Sequence, residues 1–597
     1  MSSGIIDTET ETVLREAGVA DAPKNAGTPG VSAMGEADLV FTNGRVVTVD
    51  AAFSVASALA VRGDRIVAVG DGDSVRRWMG GGTRVVDLRG GTLLPGINDS
   101  HFHAFMFGYN APPLRLDVGY PAVRSIADIA ESVRAAAASA PPGEWIIGAG
   151  WDPGYLDECR ADPSRQPTRQ DLDAASPDNP VFLSDMSYHT AWVNSVALRR
   201  AGIGAATAAP PGAVIYRDEA GEPTGLLNEG AIDLVAAVLP PVTNQQRKRA
   251  LLSAVSQVSA LGVTSFTEPG IGPAGDGGVA GTAAWDVLRE LAGAGQLAAR
   301  VSVLLLPADT PASFEAFRAG LDHMAPMPAA DPRMLNIIGV KILADGVPPQ
   351  KTAWMSEEYA GGGFGALCVA GETDEERAAE LRQMIIHAHA AGYQVGVHAS
   401  GDRTIDTVVG AFADSLQAFP RPDPRHCVIH GDSITPASLA ICAQMGFGIN
   451  MNPTIKWTVA DMIEEFLGPR RAAREWPYRE AIDAGVTVAS GSDAPVTYPD
   501  WRQGVATMIL RESKASGRVS GADQRITLAE ALRTYTINGA WQDFAEAWKG
   551  SLEIGKVADL CVLDRDLLSI DPHEIPSARV LMTVLDGQIV HDNTEVA

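Results

Sequence analysis

Hydrophobic and polar positions divide the chain into two strand-rich ends and a long middle. From Ala37 to residue 92, short alternating strands follow one another, and the same texture returns in residues 548–597. Each cluster alone would leave an apolar face exposed, so we expect both ends to pair in one composite β-sandwich. Turn pairs predict hairpins within it, at Asn43-Gly44, Gly63-Asp64 and Asp586-Gly587.

Apolar runs of strand length alternate with helical segments in the middle of the chain. Such continuous apolar strands, bounded by helices, are typical of a parallel sheet that helices cover. Eight of them indicate an α/β fold with a distorted (β/α)8 TIM barrel over residues 93–547. The runs are Leu93 to His101, Gly262 to Glu268, Val301 to Pro307, Ile337 to Asp345, Tyr393 to Ala399, His426 to Gly431, Phe447 to Pro453 and Val486 to Asp493.

Two stretches lie outside this alternation. About 160 residues separate the first two barrel strands, far more than a plain loop needs. They contain strands and helices of their own, so we interpret residues 110–245 as an insertion at the active-site end of the barrel. Residues 1–36 lack apolar periodicity and are expected to form a disordered tail.

Charge and cysteine content exclude several classes of function. With 47 Lys+Arg against 73 Asp+Glu, the formal charge is −26 and no basic run is present, which disfavours nucleic acid and anionic membranes as partners. No stretch resembles a membrane span or a secretion signal. The five cysteines are odd in number, scattered and without a CxxC pair, as in a reducing compartment. We expect a cytoplasmic protein.

Two histidines at the end of the first barrel strand form a candidate metal site. On an extended strand end, the spacing of His101 and His103 points both imidazoles the same way, so that they can bind one ion. His387 and His389 have the same spacing within a helical segment, where residues two apart face nearly opposite sides. We assign no ligand role to that second pair.

Further histidines end the fifth and sixth barrel strands. His398 and His430 each terminate an apolar run, at the end of the barrel where enzymes of this fold place their sites. Either alone could be a hydrogen-bonded structural histidine, whereas together with His101 and His103 they favour a metal centre. Cys427 lies three residues before His430, so strand alternation sends its side chain to the other face.

A carboxylate and a lysine complete the candidate chemistry. Asp493 ends the eighth strand after small residues, where it could bind a metal and accept a proton, although capping of a helix is an alternative. Lys341 lies within the apolar fourth strand, and a buried ammonium must be paired, neutralised or modified. The open alternatives are a carbamate that bridges metals and an ion pair with Asp345.

These segments closely resemble the amidohydrolase superfamily, in particular its amidohydrolase-3 branch, whose members are often called YtcJ-like. The matching motifs, spread over residues 38–597, are TLLPGINDSHFH, VKILADG, GVHASGD, CVIHGD, SGSDAP and GSLEIGKVADLCVLD. The resemblance implies a metal-dependent hydrolase on a distorted barrel with a composite β-sandwich. It also implies a small-molecule substrate and assembly as a homodimer. It implies His101 and His103 as ligands of the more buried metal, and His398 and His430 as ligands of the more exposed one. Lys341 would be a carboxylated bridge, and Asp493 a ligand and the acid/base.

The resemblance also implies residues that contact the substrate. His189 in the insertion matches a family histidine placed against substrate, accompanied by Trp192 and Asn194. For Trp192 a core position and for Asn194 a helix cap are the alternatives. Asp402 and Arg403 match a family pattern too, as substrate contacts or as supports of the ligands.

The predicted reaction is hydrolysis of an amide, N-formyl or N-acyl C–N bond. One or two zinc ions would activate a hydroxide and polarise the carbonyl, while Asp493 moves the proton to the leaving nitrogen and His189 stabilises the oxyanion. The same site could serve a carbamate, ester or cyclic-amide hydrolase or a deaminase, because the fold does not decide the substrate. A non-catalytic binding or regulatory protein is a further alternative, which the complete ligand set disfavours.

Overall fold

The computed structural model describes residues 35–594 except for positions 113, 163, 187–189, 211–212, 274 and 325–327. Its centre is an eight-stranded sheet in which all neighbouring strands are parallel and follow each other in chain order. The predicted barrel is therefore confirmed. Its strands, numbered 1 to 8, are Ile97–Asp99, Val263–Ile271, Arg300–Leu305, Leu335–Leu343, Gln394–Ala399, Cys427–His430, Gly448–Met451 and Val488–Ser490.

The first and last barrel strands meet where the predicted site residues begin. The amide of Ser100 donates to the carbonyl of Ser490 at 3.2 Å, and the amide of Asp493 donates to the carbonyl of His101 at 2.8 Å. These bonds join the ends of strands 1 and 8, so that side chains on both strand ends face one space.

Helices cover the outer face of the barrel. Capping boxes begin two of the longer ones, with Thr243 paired to Gln246 and Thr373 paired to Glu376. In the described residues, no helix combines the length and the apolar character needed to cross a membrane. The main helices of this layer are Ala104–Tyr109, Asn244–Ser259, Ala283–Gly293, Phe314–His323, Asp374–Ala390, Asp402–Ala418, Pro436–Met445, Pro453–Leu467, Pro469–Arg474, Tyr478–Asp483, Trp501–Leu510, Leu528–Thr534 and Ile537–Gln542.

Both chain ends contribute to two sheets beside the barrel, as the composite β-sandwich prediction requires. One sheet is built from the N-terminal segment, the other from both ends, and side chains from both ends share one apolar core. The first sheet contains Leu39–Thr42, Ala58–Arg62, Arg65–Gly70 and Arg84–Asp87, and the second Arg45–Val47, Val55–Ala56, Thr92–Pro95, Leu560–Leu563, Val580–Leu585 and Gln588–Asp592, with a short helix at Gly72–Arg76.

Two details of the predicted strands are wrong. The run from Leu93 to His101 is two strands, because the chain leaves the terminal sheet after Pro95 and enters the barrel at Ile97. Asn43-Gly44 does not close a hairpin, since the strands on either side of it belong to different sheets. The other two turn pairs do close antiparallel hairpins.

The insertion folds around a six-stranded sheet of its own. Its first three strands are parallel and the others antiparallel, with helices packed on the sheet. The strands are Leu116–Asp117, Ile146–Trp151, Val181–Asp185, Thr190–Val193, Val214–Arg217 and Pro223–Asn228, and the helices Ile126–Ser139, Asp157–Ala161, Arg169–Asp173, Ser195–Arg200 and Asp233–Ala236.

A buried pair of histidines, His389 and His426, lies under the helix layer. His426 Nδ1 accepts a hydrogen bond from the amide of Val395, so its Nε2 carries the proton and donates to His389 Nδ1 at 2.9 Å. His389 Nε2 then donates to the carbonyl of Phe419 at 2.7 Å. Each ring nitrogen has one partner in this chain of bonds, which requires both rings to be neutral. Burial lowers the pKa of both histidines.

This pair predicts a loss of stability in mild acid. Unfolded histidines titrate near pH 6.5, so below that pH the unfolded chain binds protons that the folded pair resists. The stabilisation is complete above about pH 6.5 and declines as the pH falls towards the lowered pKa values of the folded state. We expect Tm of the metal-loaded protein to fall between pH 7 and 5, and His389→Gln to make that decline shallower. His387→Gln, on the same helix, is the matched control, and equal slopes for both variants would contradict the prediction.

Candidate metal centre

Three predicted ligands converge at the junction of strands 1 and 8. Nε2 of His101 and Nε2 of His103 each lie 3.3 Å from Asp493 Oδ1. A tetrahedral zinc ion with ligands at about 2.0–2.1 Å separates its donor atoms by roughly 3.3 Å. The three groups form a potential metal-binding cluster within the described residues.

The local backbone makes this convergence possible. A Cβ atom at Gly491 would lie 2.5 Å from the His101 amide nitrogen, so only glycine allows strand 8 to approach the ligands so closely. Asp493 and His430 both adopt positive φ, 56° and 74°, which is costly for side chains other than glycine. Both residues are predicted ligands, and they lie at the ends of strands 6 and 8.

His398 and His430 lie next to this cluster, with ring centroids 4.5 Å apart, and His430 is 5.3 Å from His101. Asn452 donates through Nδ2 to the carbonyl of Gly491, so its Oδ1 accepts from Nδ1 of His430 at 2.7 Å. Nδ1 of His398 donates to Asp345 Oδ1 at 3.3 Å. Both bonds leave the Nε2 lone pairs free of protons, as metal ligation by histidine requires.

Lys341 lies close to both groups of histidines. It is only 4% exposed on strand 4. Burial and then the charge of Lys341 lower the pKa of His101 to about 3. The pKa of His430 also falls well below its usual range, mainly through burial, with His398 and Lys341 adding to the shift. Both imidazoles are therefore neutral at pH 7, as metal ligation by histidine requires.

The Asp493 carboxylate is ionised in this setting. Burial alone would raise its pKa, but hydrogen bonds with His101 and His103 outweigh burial and hold the pKa well below its usual range. Neutral imidazoles beside an ionised carboxylate are the donor set that zinc prefers. The residues present therefore fit a metal ion of this kind.

Asp402 and Arg403 are engaged with the loop that follows strand 4. Asp402 accepts hydrogen bonds from the amide and hydroxyl of Ser356, and the Arg403 guanidinium lies 4.0 Å from the ring centre of Trp354. The amide of Trp354 in turn donates to Asp345 Oδ2. This placement agrees with the supporting role, and substrate contact by either residue stays a prediction.

The residues predicted in the insertion have different placements. Trp192 is fully buried in the core of the inserted sheet and donates to the carbonyl of Thr168 at 2.8 Å, so the core alternative describes it and the substrate-contact prediction is not supported. Asn194 caps the helix Ser195–Arg200 by accepting from the amide of Ala197. His189 lies outside the described residues.

Sequence reasoning missed the groups that orient the ligands. The sequence suggests Asp345 only as a partner of Lys341, yet its carboxylate accepts hydrogen bonds from His398 and from the amides of Ser400 and Gly401. The sequence motifs assign no role to Asn452, which hydrogen-bonds to His430. The signal in the sequence is that Asn452 directly follows strand 7 and is polar, at the end of the barrel where the candidate ligands lie.

Comparison with known proteins places the chain in a family. Residues 84–591 match the model of the amidohydrolase family. N-substituted formamide deformylase of Arthrobacter pascens is 28% identical over 574 residues, covering 93% of this chain and 99% of the relative. YtcJ of Bacillus subtilis, itself only a candidate amidohydrolase, is 28% identical over 521 residues, covering 86% and 91%.

A solved structure supports the same assignment. An uncharacterized metal-dependent hydrolase from Pyrococcus furiosus superimposes with a TM-score of 0.68 at 25% identity, covering 88% of this chain and 99% of the other. Family, fold and converging ligand set agree. The chain belongs to the amidohydrolase family and is a metal-dependent hydrolase of carbon–nitrogen bonds other than peptide bonds.

Proposed function

We propose that the protein hydrolyses the C–N bond of an N-formyl or N-acyl amide, with Asp493 as the acid/base. The observation that carries this proposal is the position of the Asp493 carboxylate, 3.3 Å from both His101 Nε2 and His103 Nε2. The carboxylate is ionised, so it can accept a proton from the attacking water. Expelling an amine at neutral pH requires that proton on the leaving nitrogen, and Asp493 delivers it.

The resident metal in this proposal is zinc, as one or two ions. His101, His103 and Asp493 would hold one ion, His398 and His430 the other, and a carboxylated Lys341 would bridge them. When bound, zinc lowers the pKa of water from about 16 to near 7 and polarises a carbonyl. Asp345 and Asn452 keep the imidazoles of His398 and His430 in the tautomer that ligation needs.

An apolar rim beside the ligands supports a substrate with an apolar group on its nitrogen. The loop after Asp493 exposes Val496 and Tyr498, at 62% and 59%, and the amide of Val496 donates to the carbonyl of Asp493. The Tyr498 ring lies 6.2 Å from that of Phe107, whose amide donates to the carbonyl of His103. Large apolar side chains exposed beside a polar site are typical of a surface that binds an apolar ligand group.

Substitution of this rim tests the substrate preference. Val496→Ser should lower kcat/KM for formamides with a large apolar N-substituent by about 10-fold, because the transition state loses apolar contact. N-methylformamide should be nearly unaffected. Val238→Ser, at an exposed valine of the insertion, is the control. An equal loss for large and small substrates would contradict a role of the rim in substrate choice.

A substrate panel tests the reaction itself. We expect release of formate or another carboxylate from N-substituted amides by the zinc-loaded protein. The panel includes esters, carbamates, cyclic amides and amino-substituted heterocycles, which represent the other reactions that such a site can support. Turnover confined to one of those compounds would replace the amide proposal, and no turnover of any compound would contradict catalysis.

A further inference from the structure

Two carboxylates that the proposed reaction does not use lie buried next to the metal centre. Asp432 follows His430 by two residues, and Glu475 lies between the helices Pro469–Arg474 and Tyr478–Asp483. They are only 5% and 2% exposed. Within the described part of the chain, Asp432 Oδ1 and Glu475 Oε2 have no hydrogen-bond partner. A buried ionised carboxylate without compensation is costly, and two close together also repel each other.

Two serine hydroxyls accompany these carboxylates. Ser433 donates through Oγ to Glu475 Oε1 at 2.6 Å, and its amide donates to the carbonyl of Ser400. Burial raises the pKa of Asp432, and an interaction with the buried Ser400 hydroxyl partly offsets this, although neither Ser400 Oγ nor Asp432 Oδ1 has a partner in full hydrogen-bond geometry among the described residues. The amide of Trp476 donates to the carbonyl of Asp432, which fixes the segment of Glu475 against the same loop. We call Ser400, Asp432, Ser433 and Glu475 the buried oxygen cluster.

From this arrangement we propose that the buried oxygen cluster binds a hard cation of the alkali or alkaline-earth group. All its donors are carboxylate or hydroxyl oxygens, which such cations prefer, whereas zinc prefers nitrogen and sulfur. Burial raises the pKa of both carboxyls, and for Asp432 the neighbouring Glu475 adds to the shift. A bound cation would satisfy the orphan oxygens and stabilise the ionised form of both groups, which a water molecule would not do. This site is separate from the histidine cluster of the proposed reaction.

The position of the cluster gives the cation a role in the hydrolase. Ser400 follows His398 by two residues, and Asp432 follows His430 by two. A cation bound to Ser400 and Asp432 therefore joins the two loops that directly continue these ligand strands. Its removal should lower kcat and Tm without removing zinc. This effect on kcat rests on the proposed function, whereas the effect on Tm does not.

The test compares salts at constant ionic strength. The zinc-loaded full-length protein is transferred to choline chloride, and Tm and zinc content are measured after addition of NaCl, KCl, MgCl2 or CaCl2. At saturation, at least one cation should raise Tm by about 2 °C or more at unchanged zinc content, since ligands that bind only the folded state stabilise it. An equal Tm in all five salts would overturn the proposal.

Variants locate the effect in the cluster. Glu475→Gln keeps the shape of the side chain but removes its charge and should abolish the cation-dependent shift. Ser400→Ala removes one oxygen and should raise the cation concentration at which half of the Tm shift is reached. This variant provides the test if Glu475→Gln does not fold. Glu375→Gln, at an exposed position of the helix Asp374–Ala390, should respond like the wild type. A full response in Glu475→Gln or in Ser400→Ala would place the cation elsewhere. The proposal would also be overturned if neither the wild type nor Glu475→Gln responded to cations and the variant had the higher Tm in choline chloride. A proton shared by the two carboxyls would then explain how the wild type tolerates their burial.

Discussion

Replacing Asp493 with asparagine should lower kcat at least about 1000-fold, because the amide can neither accept the proton of the attacking water nor return it to the leaving nitrogen. Asparagine has nearly the same shape, and its oxygen can still face His101 and His103. Zinc content should therefore stay within about a factor of two of the wild type, so that the loss belongs to proton transfer. The measurement pairs steady-state kinetics with metal analysis of the same sample.

A matched aspartate separates this effect from a general cost of the substitution. Asp322→Asn, on an exposed part of the helix Phe314–His323, should keep wild-type kcat and metal content. If Asp493→Asn kept more than a tenth of the activity, the acid/base role would be wrong. If it lost zinc in proportion to activity, Asp493 would act mainly as a ligand.

Removal of the metal should abolish hydrolysis and restoration of zinc should recover it. Chelation is expected to lower activity at least about 1000-fold, since the site then lacks its Lewis acid. His101 and His430 are neutral at pH 7 because burial lowers their pKa, so these two imidazoles need not lose a proton when zinc rebinds. Metal per chain and activity should rise together on titration with zinc.

Variants and intact mass decide how the metal is held. His101→Gln should lose zinc and activity, whereas His387→Gln, outside the site, should keep both. Native mass heavier by one carbon dioxide, absent in Lys341→Met, would support the carbamate bridge, and two zinc ions per chain would support a binuclear centre. One ion without the added mass would replace that arrangement with a mononuclear site. Activity that survives complete metal removal would contradict the mechanism.

Much of the candidate site could be predicted because most of its residues lie at the ends of barrel strands. A (β/α)8 barrel brings all strand ends to one face, so residues as distant in sequence as His101 and Asp493 meet once eight apolar runs have been recognised. The exclusion of His387 and His389 as a ligand pair also depends on neighbouring residues alone, because residues two apart on a helix face nearly opposite sides. In the structure, His389 forms a separate buried pair with His426.

Other features depend on contacts that no local pattern records. The division of the first strand at Gly96 and the Asn43-Gly44 link between two sheets follow from which sheet each strand joins. Trp192 could be a ligand contact or a core residue by sequence, and only its burial against Thr168 and the inserted sheet decides for the core. Aromatic character alone does not distinguish these environments.

By itself, the sequence determined the barrel, the composite sheet of both chain ends and the positions of the candidate metal ligands. These follow from apolar periodicity and strand ends, which are properties of residues close together along the chain. Tertiary structure alone decided which polar groups orient those candidate ligands and which carboxylate oxygens lie buried without a hydrogen-bond partner among the described residues. Asn452 meets His430, and Asp432 meets Ser400 and Glu475, only because separate loops pack at the mouth of one barrel. Hydrogen bonds between distant segments depend on how those segments pack, and local patterns along the sequence do not reveal the distances between them.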